Sequence, residues 1–125
     1  MPPPLQPPKI VEKPWGREIW YAHTDRYAGK VLEVTAGHLL SLQKHRVKHE
    51  TLYLLSGEIR LEVGTSPEAL EDVRLGSGES FRVSPGTVHR IVAVTDADVL
   101  EASTPHLEDV IRFQDRYGRA PEGDR

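Results

Sequence analysis

Residues 43–64 read QKHRVKHETLYLLSGEIRLEVG. The second half alternates: Ile59, Leu61 and Val63 fall on one side of an extended chain, and Glu58, Arg60 and Glu62 on the other. A period of two marks a half-buried strand, and TLYLLS at 51–56 reads as a second strand just before it. The first half is different. Gln43-Lys44-His45-Arg46-Val47-Lys48-His49-Glu50 places an amide, two imidazoles, a carboxylate and three cations between leucine-rich runs. Such a stretch is either a solvated polar loop or a metal site.

Strand signals recur outward from this point. They are REIWYA at 17–22, GKVLEVT at 29–35, LLSLQ at 39–43, ESFRVS at 79–84, HRIVAVT at 89–95 and DVLEAS at 98–103. Most are short, rich in Val, Ile, Leu, Tyr or Phe, and bounded by Gly, Pro, Ser or Asp. Two segments, SPEALEDV at 66–73 and EDVIRFQDRYG at 108–118, are expected as short helices. About eight short strands with little helix predict an all-β, antiparallel sandwich or barrel of the jelly-roll kind. Five of the ten prolines fall in the first eight residues, so residues 1–9 read as an extended arm. Residues 10–119 then form one domain and 120–125 a tail.

A chain of 125 residues suffices for one core and not for two. A net charge of −3 gives no basic footprint, which argues against a nucleic-acid partner. No apolar run approaches the length of a membrane helix. The N-terminus lacks the apolar stretch of a signal peptide, and the expected location is the cytoplasm. Cysteine is absent, so any metal must be held by nitrogen and oxygen.

Strand phase selects the candidates. Gln43 and His45, two apart, share a face if the strand continues, and a turn over 46–49 would lay Glu50 beside them. Glu50 is in phase with Leu52 and Leu54, and His89 opens a strand after the turn SPGTV. Two imidazoles, a carboxylate and an amide oxygen suit a divalent first-row metal. His23, His38 and His106 stand isolated among turn residues, and His49 is out of phase with Glu50.

The spacing carries a resemblance. Gly37, five residues, Gln43-x-His45, four residues, Glu50, six residues, Gly57 resembles the first motif of the cupin superfamily, Gly-x5-His-x-His-x(3,4)-Glu-x6-Gly. Gly78, five residues, Ser84, Pro85, Gly86, two residues, His89 resembles the second, Gly-x5-Pro-x-Gly-x2-His-x3-Asn, with 20 residues between the two. Ser84 and Ala93 replace the proline and asparagine, and Gln43 replaces the first histidine. Glutamine in that place is similar to the ligand set of phosphomannose isomerases. KPWGREIWY, LSLQKH, HETLYLLSGEIRLEVG, SPGTVHR and EDVIRFQDRYGR together resemble the type II mannose-6-phosphate isomerase domain over about residues 11–119. Relatives often fuse this domain to a nucleotidyltransferase. There is no room for one here, and no Gly-rich phosphate loop, so a stand-alone version is expected. Where those relatives carry His-His-Arg-Ala-Glu-His, Lys48 takes the place of the arginine, keeping charge but losing a bidentate donor.

The resemblance implies a cupin barrel (a double-stranded β-helix) holding a divalent metal through Gln43, His45, Glu50 and His89. Zinc comes ahead of manganese, cobalt, iron or nickel. It implies aldose–ketose isomerisation of a sugar phosphate, mannose 6-phosphate to fructose 6-phosphate, through an enediolate. Glu101, in phase with Val99 and Ser103, is the expected base, with Lys48 and Arg112 as further catalytic candidates. Lys30 and Arg90 are the expected substrate-binding cations, and Lys48 and Arg112 are also phosphate candidates. Trp15 reads as an anchor for the first strand. A homodimer is expected, with Tyr21, Leu40 or Leu42 at its interface. The alternatives are a metal- and sugar-binding cupin without turnover, and an iron-dependent cupin dioxygenase.

Overall fold

The computed structural model describes residues 5–114. Eleven strands are formed there: β1 Lys9–Lys13, β2 Gly16–His23, β3 Ala28–Val34, β4 Leu42–Lys44, β5 Glu50–Ser56, β6 Glu58–Gly64, β7 Leu70–Gly76, β8 Ser80–Val83, β9 Val88–Ala93, β10 Ala97–Ser103 and β11 Ile111–Gln114. They build two antiparallel sheets, one ordered β1-β2-β3-β10-β5-β8 and the other β11-β4-β9-β6-β7. From β3 onward the chain alternates between the sheets, apart from the β6–β7 hairpin, as in a jelly roll. No helix among the described residues is long and apolar enough to cross a membrane.

The inner faces are those the alternation requires. In β5 Glu50, Leu52 and Leu54 are buried while Thr51, Tyr53 and Leu55 are exposed. Trp15, Leu32, Val34, Leu54, Ile59, Leu61, Ile91 and Val99 fill the space between the sheets, and Trp15 is 2% exposed, an anchor at the base of β2. Gly57 links β5 to β6 with a φ of 91°, and a Cβ there would lie 2.2 Å from the carbonyl oxygen of Asp96. Only glycine fits that turn.

The helices expected at 66–73 and 108–118 are corrected. Residues 66–69 make a turn, and Leu70 begins β7, where Val73 and Leu75 oppose Leu61 and Ile59. Val73 and Leu75 fit a period of two, and cross-strand packing outweighs the local helical preference of EALED. Ile111–Gln114 is a strand added beside β4, and 115–118 lie outside the described residues. β1 begins at Lys9, within the expected arm, because Lys9–Lys13 pair with Trp20–Gly16. Residues 1–4 of that arm and the tail at 120–125 also lie outside the described residues.

Candidate metal centre

Register places the polar side chains in two facing rows. On the five-stranded sheet Arg112 opposes Gln43, Gln43 opposes His89, and His89 opposes Val63. On the six-stranded sheet Trp20 opposes Lys30, Lys30 opposes Glu101, and Glu101 opposes Leu52. The apolar rows fill one end of the barrel and these polar rows line the other. A cavity of about 290 Å³ lies between them, lined by Gln43, His45, Lys48, Glu50, His89 and Glu101 among others.

At its floor, one ligand atom from each of His45, Glu50 and His89 lies within 4.8 Å of the others, and all three residues are buried. The tautomers follow from the partners. His45 Nδ1 lies 2.6 Å from the Asp109 carbonyl oxygen, and His89 Nδ1 lies 2.9 Å from that of Thr87. A carbonyl only accepts, so each Nδ1 carries a proton and donates it. Both Nε2 atoms are buried without a hydrogen-bond partner. Glu50 Oε1 is 3.2 Å from His45 Nε2 and Oε2 is 3.8 Å from His89 Nε2, close approaches without hydrogen-bond alignment. Two imidazoles locked by backbone acceptors, with their other nitrogens converging beside a carboxylate, are what a divalent cation requires of its surroundings. The residues fit a metal.

Charge around the floor is arranged consistently. Lys48 Nζ lies 3.0 Å from Glu50 Oε1 and 3.0 Å from Glu101 Oε2. Burial works against the ammonium, but the carboxylates of Glu101 and Glu50 outweigh it and hold Lys48 well above its usual range. Burial alone would raise the Glu50 carboxyl. Contact with His45 and the charge of Lys48 prevail and keep it ionised far below the ordinary carboxylate range. Burial lowers His89, favouring the neutral ring a metal needs.

The other candidates are placed as follows. Glu101 is 5% exposed and lines the cavity with Lys48. Lys30 is buried and donates to Glu18 Oε1 at 3.2 Å, its ammonium 4.5 Å from the Trp20 ring centre. Arg90 reaches the cavity wall but donates to Glu62 at 2.7 Å. Arg112 lines the cavity and donates from Nε to Ser41 Oγ at 3.3 Å. His49 is exposed, away from the centre. Leu42 is 1% exposed within the single chain, in a strand paired on both sides, so it is removed from the expected interface. Tyr21 is 54% exposed.

Four contributors escaped the sequence reading. Glu18 and Trp20 share the inward phase of β2, which alternation within REIWYA signals. Ser41 precedes Gln43 by two and lies in the same phase. Asp109 accepts the backbone N–H groups of Arg46, Val47 and Lys48 at 3.0, 2.7 and 2.9 Å, which shapes the loop carrying Lys48. No local signal links Asp109 to a loop more than sixty residues away.

Two antiparallel sheets wound as a jelly roll around a histidine–glutamate–histidine cluster define a small β-barrel of the cupin type with a candidate metal centre. The Cupin domain family model matches residues 27–103, and the chain belongs to that family. It is 29% identical over 114 residues to the mannose-1-phosphate guanylyltransferase ManC of Salmonella typhimurium, covering 87% of this chain and 23% of that protein. The mannose-1-phosphate guanylyltransferase of Escherichia coli is 30% identical over 115 residues, with the same coverage of 87% and 23%. The chain thus spans less than a quarter of the length of these relatives. The structure of KdgF from Halomonas sp. superposes with a TM-score of 0.69 at 21% identity, covering 78% of this chain and 86% of that one.

Proposed function

We propose that the chain is a metal-dependent sugar-phosphate isomerase interconverting mannose 6-phosphate and fructose 6-phosphate through an enediolate. The observation that carries this reading is the juxtaposition, in one cavity, of the His45–Glu50–His89 cluster with a buried Lys48–Glu101 pair. Similarity to part of two enzymes named for mannose 1-phosphate supports the substrate class. The cavity volume is near the lower end for small-ligand pockets, about 300 Å³.

In this reading His45, Glu50 and His89 hold the divalent metal, with Gln43 as a fourth ligand. Bound there, the metal supplies Lewis-acid polarisation of the substrate's carbonyl and hydroxyl oxygens. Glu101 removes the proton from C2 of the aldose and delivers a proton to C1 as the ketose forms, while the hydroxyl proton on O2 passes to O1. Its carboxylate is fixed by β10, whose pairing on both sides leaves little freedom at the backbone. Lys48, kept charged by two carboxylates, offsets the negative charge developing on the enediolate. The neighbouring apolar side chains Leu40, Ile91 and Leu107 limit water at the reacting carbons. Arg112 and Arg90, at the cavity wall, are the proposed phosphate contacts. Lys30 is less suited to phosphate than its sequence position implied, because Glu18 neutralises it; the pair suits sugar hydroxyls.

A steady-state assay of mannose 6-phosphate conversion, with the protein loaded in turn with Zn, Mn, Co, Fe and Ni, tests the proposal. Turnover that requires metal and disappears in His89→Ala is expected. Stoichiometric metal with no turnover of any phosphosugar would replace it with the sugar-binding reading. Oxygen consumption with iron alone would replace it with the dioxygenase.

A further inference from the structure

Gln43 is the one proposed ligand whose donor atom is ambiguous by chemistry: a carboxamide presents oxygen at one end and an NH₂ group at the other, and only the oxygen serves a cation. The residues behind it remove that ambiguity. Ser41 is 3% exposed, and its Oγ lies 3.2 Å from Gln43 Oε1 and 3.3 Å from Arg112 Nε. A guanidinium nitrogen only donates, so Ser41 Oγ accepts from Arg112. The hydroxyl has one proton, and Gln43 Oε1 is placed to accept it. With the carboxamide reversed, its NH₂ would meet the hydroxyl as a second donor, leaving a buried hydroxyl proton with no acceptor among the described residues. The chain of donors therefore runs in one direction, Arg112 to Ser41 to Gln43. The backbone supports it: Arg112 and Gln43 are register partners on β11 and β4, and Ser41 lies two residues before Gln43, in the same phase.

We infer that Ser41, itself set by Arg112, is a positioning residue that fixes the orientation of the Gln43 carboxamide, so that its oxygen is available as a neutral metal ligand. The oxygen has two lone pairs; one accepts the Ser41 hydroxyl and the other remains for the cation. This inference rests on the metal reading above and gives Arg112 a role the sequence did not suggest. Arg112 acts through Ser41 on the ligand set, whether or not it also meets phosphate. Partners behind a ligand commonly alter metal affinity about 10–100-fold when removed.

The test is a double-mutant cycle read as affinity for Co²⁺ and Zn²⁺ alone, with no substrate present. Ser41→Ala in the otherwise native chain is expected to weaken Co²⁺ binding about 10–100-fold and to change the shape of its visible absorption band. Ser41→Thr, which restores a hydroxyl, is expected to recover most of that loss. In a Gln43→Ala background, Ser41→Ala should have no further effect, since there is no carboxamide left to orient. Wild-type affinity in Ser41→Ala, or the same loss in both backgrounds, overturns the inference and makes Ser41 a packing residue only. His45→Ala separates the two levels. Wild-type binding that is lost in His45→Ala upholds the metal centre whatever Ser41 does, and absence of binding in the wild type overturns both.

Discussion

Removing the Asp109 carboxylate should unfasten the loop that carries Lys48. Its two oxygens accept three backbone N–H groups, and no side chain in the loop is required for them. Hydrogen bonds to a charged group contribute about 1.5–3 kcal/mol each when shielded, and less when water can replace them. Arg46 and Val47 are exposed, so about 0.5 kcal/mol is assigned to each of their bonds; Lys48 is buried, and about 1.5 kcal/mol is assigned to its bond. Asp109→Ala should therefore cost about 2–3 kcal/mol, or about 6–15 °C in Tm for a domain of this size. The acidic limb supplies the sign. Burial raises the Asp109 carboxyl, but the three backbone donors and His45 together outweigh it and set it below its ordinary value. A carboxyl lowered on folding stabilises above its unfolded pKa of about 3.9, and that stability is lost as pH falls through the folded value. The gap between wild type and Asp109→Asn should be full at neutral pH and should close toward low pH. Denaturant melts at several pH values measure both effects. A Tm within about 2 °C of wild type at pH 7, or a gap that widens on acidification, would refute the reasoning.

Glu101→Gln should leave metal content unchanged and lower kcat about 10²–10⁴-fold, the usual contribution of a positioned base; unchanged kcat would remove Glu101 from the mechanism. Lys30→Met should destabilise the fold by about 3 kcal/mol, because Glu18 would remain as a buried charge without its ammonium, and Lys30→Met/Glu18→Leu should recover most of that loss in thermal melts. A two-fold dimer remains the expected assembly. Tyr21→Glu, on the exposed face of β2, should shift sedimentation toward monomer, and a wild-type monomer at micromolar concentration would end the idea.

Much of the fold was legible because inward and outward residues alternate cleanly where both faces differ, as in β5 and β6. Glu50 and His89 were assigned their faces by phase alone, and the structure turns both toward the cavity. The segments misread as helices are those whose pattern is sparse. β7 has two apolar residues facing β6 amid charges, and its state is decided by a partner strand rather than by local preference. β11 likewise exists through its pairing with β4. Asp109 and Ser41 were missed for a related reason: their importance lies in hydrogen bonds to residues that only the closed barrel brings near. Lys30 and Arg90 showed as cations, but the acids that neutralise them, Glu18 and Glu62, lie 12 and 28 residues away on other strands.

The central claim is best met by following mannose 6-phosphate in D₂O by NMR with the metal-loaded protein. The account predicts fructose 6-phosphate carrying deuterium at C1 for every turnover in which the proton held by Glu101 exchanges with solvent, and it predicts that Glu101→Gln slows both product formation and exchange about 10²–10⁴-fold. Conversion that proceeds undiminished in Glu101→Gln would contradict Glu101 as the base that forms the enediolate. Metal bound at one equivalent with neither conversion nor exchange would contradict the isomerase itself.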